Sequence, residues 1–158
     1  MSINKKIQDY LNNVSDYSYI LIMVMFTWMA NVLTGLYTNI FNIPFKRPQF
    51  GMSPILMLIL VGIVGPIIET YLFQVVLIYF LKKINYLNNN KALLVIVASI
   101  IFGILHNYSS DYIIFGFLLG VILNYSYLIY KNKTLSSFII ALTIHIIYNI
   151  LVLLVFYL

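Results

Sequence analysis

Three side chains that can exchange protons lie in apolar segments, where burial in a membrane makes an ionisable group costly. Glu69 is the only glutamate among the 158 residues, and His106 and His145 are the only two histidines. Each lies inside or at the end of a long apolar run. An ionisable group within a bilayer costs about 2.5–3.5 kcal/mol on insertion scales, so its presence indicates a function. The three residues are therefore the first candidates for a catalytic or binding site.

The composition is that of a membrane protein. Hydrophobic residues make up 63% of the chain and charged residues 8%, whereas a soluble domain has roughly 25% charged residues. The length suits a single domain, residues 1–158. The chain has no cysteine, which excludes a disulfide, a thiolate nucleophile and a thiolate metal site. The net charge of +5 predicts an orientation in the membrane rather than nucleic-acid binding.

Five apolar runs are long enough, or nearly so, to cross about 30 Å of hydrocarbon. We predict an all-α membrane bundle of about five transmembrane helices, preceded by a short interfacial helix in the cytoplasmic or interfacial segment 1–18. The third run is short and the second is long. Gly65-Pro66 predicts a kink in the second, because Pro66 has no N–H to donate. The predicted spans are about 19–41, 52–81, 92–106, 112–130 and 136–158.

The basic residues predict an orientation. With five crossings, seven lysines fall on the side of the N-terminus and two basic residues on the other side. The positive-inside rule then places the N-terminus in the cytoplasm and the C-terminus outside, in a multi-pass protein of the cell membrane, which in a bacterium is the cytoplasmic membrane. The seven are Lys5, Lys6, Lys82, Lys83, Lys91, Lys131 and Lys133, and the two are Lys46 and Arg47.

The N-terminal segment has an apolar stripe at helical spacing, formed by Ile3, Ile7, Leu11 and Val14. The stripe is typical of a short helix lying on the inner membrane surface. A frayed tail is the alternative interpretation.

The candidate residues share a depth. At 1.5 Å per residue, Glu69, His106 and His145 lie about 18, 21 and 17 Å from the cytoplasmic ends of their spans. Asn149 follows His145 by four residues, on the same helix face. The agreement predicts one shared site on three helices. Taken alone, a histidine or Asn149 could equally be a helix–helix hydrogen bond, and Glu69 a proton-relay or ion-binding carboxylate.

The side-chain types in this set indicate the kind of reaction they could catalyse. A carboxylate in a low-dielectric pocket can act as a base near neutral pH, and a nearby imidazole can share a water with it. A second imidazole and a carboxamide can donate hydrogen bonds to a developing oxyanion. The set is therefore suited to adding water to a peptide carbonyl.

At these residues the sequence resembles the CPBP family of intramembrane proteases. That family groups the CAAX-prenyl endopeptidases with bacteriocin-processing and self-immunity proteins. Its pattern is Glu-Glu-x-x-x-Arg on one helix, Phe-x-x-x-His on the next and His-x-x-x-Asn on a later one. The matching stretches are ETYLFQ at 69–74, FGILH at 102–106 and HIIYN at 145–149, and the resemblance covers about residues 52–155.

The resemblance implies a role for each matching residue. Glu69 and His106 would activate water, with Phe102 in a supporting position. His145 and Asn149 would stabilise the oxyanion.

Two positions depart from the family pattern. Thr70 stands where the pattern has its second glutamate, and Gln74 stands where it has arginine. We expect Thr70 and Gln74 to support the site and to hydrogen-bond each other as a neutral substitute. The loss of the arginine argues against recognition of a free prenyl-cysteine carboxylate through that residue.

The leading hypothesis is an intramembrane endopeptidase of the glutamate type that needs no cofactor. Zinc held by Glu69, His106 and His145 is the minority interpretation. The expected partners are membrane lipid and a small membrane-associated peptide, such as a bacteriocin, a pheromone or a prenyl-type substrate. Nucleic acid is not expected, and the oligomeric state is left open.

Two other classes of function compete with the protease. One is a non-catalytic membrane interaction or immunity protein on the same fold. The other is a proton-coupled transporter that uses Glu69, which the odd number of spans and the lack of an inverted repeat disfavour.

The same reasoning predicts where substrate enters. We expect a cavity between the second, third and fifth spans that opens toward the cytoplasm. The basic loops there would gather an anionic or membrane-adsorbed substrate, through Lys82, Lys83, Lys91, Lys131 and Lys133.

Overall fold

Helices make up the regular structure throughout the part of the chain that the computed structural model describes, which is residue 11 and residues 13–43, 51–130 and 134–156. Five helices account for most of it, and a single turn, Asn85–Asn88, lies between the second and third. The helices are α1 (Asp16–Ile40), α2 (Pro54–Leu81), α3 (Lys91–Leu105), α4 (Ser110–Leu128) and α5 (Ser137–Phe156).

The predicted all-α membrane bundle is confirmed. Each helix lies over one predicted span, with ends that differ by a few residues. By length and composition, α1, α2, α4 and α5 can each cross a membrane. The remaining helix, α3, is a shorter apolar helix of 15 residues.

The distribution of side chains is that of a bundle in lipid. Large apolar residues are exposed on the outer surface, for example Met25, Ile55 and Leu154. Polar residues such as Gln74 and Asn124 are fully buried between helices. Because hydrocarbon offers no hydrogen bonds, polar groups must find partners inside the bundle.

Four of the helices begin with a side-chain cap. The side chains of Ser15, Ser53, Asn90 and Ser136 accept hydrogen bonds at 3.2, 3.4, 3.1 and 3.3 Å from backbone N–H groups three residues further on. These caps satisfy N–H groups that have no partner within the helix. Pro54 follows Ser53 in the first turn of α2, where its missing N–H has no consequence.

Helix α2 contains two π-helical stretches, Leu60–Val64 and Tyr71–Leu77. In the first, the N–H of Gly65 donates to the carbonyl of Leu60, five residues back. Pro66 follows and has no N–H to donate. The irregularity predicted at Gly65-Pro66 therefore takes the form of a wider helical turn, which leaves the Val61 carbonyl without its regular helical donor.

A buried carboxylate fastens the start of α1 to the connection between α4 and α5. Asp16 accepts hydrogen bonds from the Tyr130 hydroxyl at 2.8 Å, from the N–H and hydroxyl of Thr134 at 2.6 and 3.0 Å, and from the N–H of Leu135 at 2.9 Å. Burial, and then the neighbouring Asp16 carboxylate, raise the pKa of the Tyr130 phenol, so it stays a donor. The Tyr130 ring also stacks on Tyr19, with centroids 3.6 Å apart.

The N-terminal stripe is only partly covered. Ile3 and Ile7 lie outside the described residues, so the predicted interfacial helix has no outcome here. Leu11 is buried in the main hydrophobic cluster and Val14 packs against that cluster. Of the basic residues used for the orientation, Lys5, Lys6, Lys46, Arg47, Lys131 and Lys133 also lie outside the described residues.

Helices α3 and α4 approach each other through glycines. A Cβ added at Gly116 would lie 3.2 Å from the Gly103 Cα, and one at Gly120 would lie 3.1 Å from the Ser99 Cα. A Cβ at Gly103 would lie 2.8 Å from backbone atoms of Ile113 and Phe117. Gly116 and Gly120, four residues apart, thus give α4 a small-residue face on which α3 packs closely.

Gly103→Ala tests this seam. The new methyl group would meet backbone on α4, so we expect the helices to separate and the free energy of unfolding to fall by about 1–3 kcal/mol. Gly35→Ala is the matched control, because a Cβ there meets nothing within 4 Å, and it should be neutral or slightly stabilising. Thermal unfolding of the purified variants in one detergent measures both. An unchanged midpoint for Gly103→Ala would contradict the close approach.

Candidate active site

The structure brings Glu69, His106 and His145 together from three different helices. One carboxylate oxygen, Glu69 Oε2, lies 3.6 Å from His106 Nε2 and 3.6 Å from His145 Nε2. The side chains differ in exposure: 36% for Glu69, 19% for His106 and 1% for His145. Glu69 is therefore the accessible member, and His145 is enclosed by the bundle.

His106 reaches this position because α3 is short. The helix ends at Leu105, and His106 is its C-cap, with its backbone N–H bonded to the Gly103 carbonyl. His106 Nδ1 is 2.7 Å from the Phe102 carbonyl oxygen, and the two rings lie 4.4 Å apart. A carbonyl only accepts hydrogen bonds, so Nδ1 carries the proton. In the neutral ring, Nε2 is then an acceptor facing Glu69.

Phe102 supports the position of His106 through its packing and its backbone carbonyl. The side chain is fully buried and meets the Phe73 ring edge-on, with centroids 4.9 Å apart. Its backbone carbonyl fixes His106, as described above. Phe102 thus orients the His106 ring and does not itself line the cavity.

Thr70 contacts His145 and not Gln74. The Thr70 hydroxyl lies 3.2 Å from His145 Nδ1, and both side chains are buried. The hydrogen bond fixes the ring so that Nε2 points toward Glu69. The expectation that Thr70 and Gln74 bond each other is therefore wrong. The reason is that α5 supplies a nearer polar partner for Thr70.

Gln74 belongs to a separate polar chain between helices. Its Nε2 donates to Asn124 Oδ1 at 3.3 Å, Asn124 Nδ2 donates to Ser99 Oγ at 3.1 Å, and Ser99 Oγ donates to the Val95 carbonyl at 2.6 Å. The three side chains of Gln74, Asn124 and Ser99 are fully buried. This neutral network links α2, α4 and α3 beneath the candidate site.

Asn149 forms a hydrogen bond to the first π-helical stretch of α2. Its Nδ2 donates to the Val61 carbonyl at 3.0 Å. That carbonyl lacks a helical donor, because the Gly65 N–H bonds to Leu60 and Pro66 has none. A carboxamide has two N–H donors, so one is committed to Val61 and the second is available to a ligand.

A cavity of about 250 Å³ adjoins these groups. Its wall includes Glu69, His106, His145 and Asn149, so it brings the four predicted catalytic residues to one space. The rest of the wall is mainly apolar and aromatic. It comes from α1, α2, α4, α5 and the connection between α3 and α4, and includes Asn31, Thr34, Leu60, Val61, Gly65, Tyr108, Asp111, Tyr112, Phe115, Leu119, Tyr148 and Phe156.

The position of the cavity corrects the expectation about access. Its wall uses residues 60–69 of α2, 111–119 of α4 and 145–156 of α5, which lie toward the end of the bundle that carries residues 106–110. Lys82, Lys83 and Lys91 lie at the opposite end of α2 and α3. The expectation of a cavity bordered by those lysines is wrong, because the space beside Glu69 extends toward the other end of the helices.

Sequence reasoning missed several polar residues around the site. Asn124 and Ser99 are the inner supports of Gln74, and Asp111 lies in the cavity wall. Asn124 and Ser99 carried a usable signal, since each is a polar residue inside an apolar span, where it needs a partner. Asp111 carries no such signal, because it falls between the predicted spans 92–106 and 112–130.

Over the described part of the chain, no group of three or more His, Asp or Glu side chains is arranged to hold a metal ion. Zinc held by Glu69, His106 and His145 stays a prediction.

The comparison with protein families gives one match. Residues 51–151 match the family model described as type II CAAX prenyl endopeptidase Rce1-like. Comparisons with curated proteins and with solved structures gave no significant match. The matched segment covers more than half of the chain and contains Glu69, His106, His145 and Asn149. This multi-pass membrane protein belongs to the type II CAAX prenyl endopeptidase Rce1-like family, and it is an intramembrane endopeptidase of the CAAX type.

Proposed function

We propose that this chain hydrolyses a peptide bond in a small membrane-associated peptide, with Glu69 and His106 activating the attacking water. The observation that carries the proposal is the position of Glu69 Oε2, 3.6 Å from Nε2 of both histidines in a cavity wall. That separation is too long for a direct hydrogen bond and suits a bridging water.

The tautomer of His106 determines how the bridging water is oriented. Because Nδ1 donates to the Phe102 carbonyl, the neutral ring presents Nε2 as an acceptor. The ionised Glu69 carboxylate is an acceptor too. A water between them donates one O–H to each, which leaves its lone pair directed at a substrate carbonyl. The pair thus acts as a general base that also orients the nucleophile.

The reaction then has two steps. In the first, the water oxygen bonds to the carbonyl carbon, Glu69 takes the water proton, and the carbonyl oxygen becomes an oxyanion. In the second, the oxyanion re-forms the C=O double bond, the C–N bond breaks, and Glu69 returns its proton to the leaving amine. The products are a carboxylic acid and an amine, and Glu69 is restored.

His145 and Asn149 supply donors for the oxyanion. If the Thr70 hydroxyl donates to His145 Nδ1, the ring carries its proton on Nε2, which faces the cavity. Asn149 contributes the N–H that Val61 does not use. Two fixed donors in a water-poor cavity stabilise the developing charge without reorganisation.

The substrate meets the site from the outer half of the bundle. The positive-inside count still favours a cytoplasmic N-terminus. The cavity lies at the end that carries residues 106–110, which is then the outer end. We therefore propose as substrate a small peptide, of the bacteriocin or pheromone kind, that reaches the site while adsorbed to or crossing the membrane.

Glu69→Gln is the direct test of the general base. The carboxamide is nearly isosteric but takes no proton, so cleavage should fall by at least about a hundredfold while the fold is kept. The substrate can be found in the same experiment. Membrane peptides are incubated with wild type or with Glu69→Gln, and new N-termini are labelled and sequenced by mass spectrometry.

The outcome is judged on the peptide that wild type cuts. Cleavage of that peptide by Glu69→Gln at the wild-type rate would reject the glutamate mechanism. His106→Ala should lose activity to a similar extent. His145→Ala and Asn149→Ala should retain some activity, because loss of one oxyanion donor costs about 10²–10³ in rate. Thermal unfolding of each variant separates lost chemistry from lost fold.

Thr70→Val tests the positioning of His145. Valine has the shape of threonine but no hydroxyl, so His145 can adopt either tautomer and we expect kcat to fall about tenfold with little change in KM. Thr70→Ser keeps the hydroxyl and is the matched control. Equal kcat values for Thr70→Val and Thr70→Ser would show that the hydroxyl does not act through His145.

Removal of metal tests the water-activation step. If Glu69 and His106 alone activate the water, protein treated extensively with a chelator should keep its activity, and metal analysis should show no stoichiometric zinc. One zinc ion per chain, with activity lost on its removal and regained on its return, would instead establish a metalloprotease.

A further inference from the structure

A second carboxylate lies in the wall of the same cavity and has no part in the proposed reaction. Asp111 is in the first turn of α4 and is 3% exposed. Its Oδ1 is buried and makes no hydrogen bond. Asp111 and Glu69 line one cavity, although they belong to different helices.

The position of Asp111 in the first turn of α4 accounts for the stabilisation of its charge but not for its unpaired Oδ1. A negative charge in the first turn of a helix is stabilised by the helix dipole. The dipole does not supply a hydrogen bond to Oδ1, and a buried carboxylate oxygen without a partner is destabilising. Oδ1 of this residue of the cavity wall therefore keeps acceptor capacity that no described residue uses.

The charges of the cavity wall indicate the kind of donor. Among the described residues, the wall carries two carboxylates, Glu69 and Asp111, and neither lysine nor arginine. A free carboxylate of a substrate would find no cation there. A cationic group would be attracted, and Asp111 is the carboxylate that catalysis does not occupy.

The aromatic residues next to Asp111 suit the same kind of group. Tyr108 and Tyr112 also line the cavity, and their rings meet edge-on with centroids 5.3 Å apart. Aromatic faces attract ammonium and guanidinium groups. A carboxylate beside two tyrosines thus combines a charge partner with a surface for the apolar stem of a long basic side chain.

We propose that Asp111 is the subsite for a cationic nitrogen of the peptide substrate, which is either a lysine or arginine side chain or a free α-amino group. The proposal rests on the proposed function, in that it names the substrate class of the same site. The bound cation would complete the hydrogen bonding of Asp111 and hold the peptide against Glu69 and His106. Asp111 is a binding residue and takes no part in the bond-making steps.

Binding can be tested without catalysis. Glu69→Gln protein in nanodiscs is titrated with fluorescent apolar peptides that are identical except at one central position, which is lysine, norleucine or glutamate. A second set compares a free with an acetylated α-amino group. We expect the cationic peptide to bind about tenfold to a hundredfold more tightly than the neutral one, because one charge-assisted hydrogen bond is gained. The set that shows the difference identifies the source of the nitrogen.

Asp111→Asn and Asp111→Glu are then added to the Glu69→Gln background. Asparagine has nearly the same shape without the charge, so the preference for the cationic peptide should disappear while the neutral peptide binds as before. Glutamate keeps the charge and should keep most of the preference. Thermal unfolding in the same nanodiscs checks that both variants are folded.

Two results would overturn the proposal. One is equal binding to Glu69→Gln protein within both sets, the lysine, norleucine and glutamate peptides as well as the free and acetylated ones, which needs no Asp111 variant. The other is an unchanged preference in a folded Asp111→Asn variant. Neither result depends on cleavage, so failure of the subsite and failure of the glutamate mechanism are distinguishable.

Discussion

The structure depends on one constraint, which is that a polar group inside a lipid-embedded bundle must find its partner within the bundle. Glu69 meets this constraint by facing His106 and His145 at 3.6 Å. That meeting requires α2, α3 and α5 to converge at one depth. The glycine seam between α3 and α4 brings α3 close enough, and the early end of α3 leaves His106 at the required level.

The same constraint explains the irregular backbone of α2. The Gly65 N–H bonds to Leu60, and Pro66 donates nothing, so the Val61 carbonyl needs a partner from another helix. Asn149 provides it at 3.0 Å. The proposed oxyanion donor is thereby held in place by a backbone defect on the helix that carries Glu69. The π-helical turn near Glu69 thus helps to position Asn149.

Sequence reasoning predicted much of this, and its failures have a common physical cause. Apolar runs predict spans reliably because hydrocarbon thickness fixes their length, and the shared depth of Glu69, His106 and His145 follows from counting residues. Pairing between side chains depends on helix rotation, which the apolar pattern barely specifies when most faces are hydrophobic. Thr70 and Gln74 are neighbours on α2, yet they turn to His145 and Asn124 respectively.

The position of the cavity was missed for a related reason. Charge counting orients a bundle but does not say where a cavity forms between its helices. The cavity lies beside the end of α3 and the first π-helical stretch of α2, away from Lys82 and Lys83.

The two departures from the family pattern can be understood together. A second glutamate and an arginine on α2 would form a charged pair that must be buried as a unit, because either charge alone would be left without a partner. This chain has instead the neutral Thr70, which fixes the His145 ring, and the neutral Gln74, which bonds to Asn124 and through it to Ser99. The supporting layer therefore carries no charge of its own. The electrostatic field in the cavity is then set mainly by Glu69 and Asp111, so this chain offers a cation a site where a pattern with arginine would add a positive charge nearby.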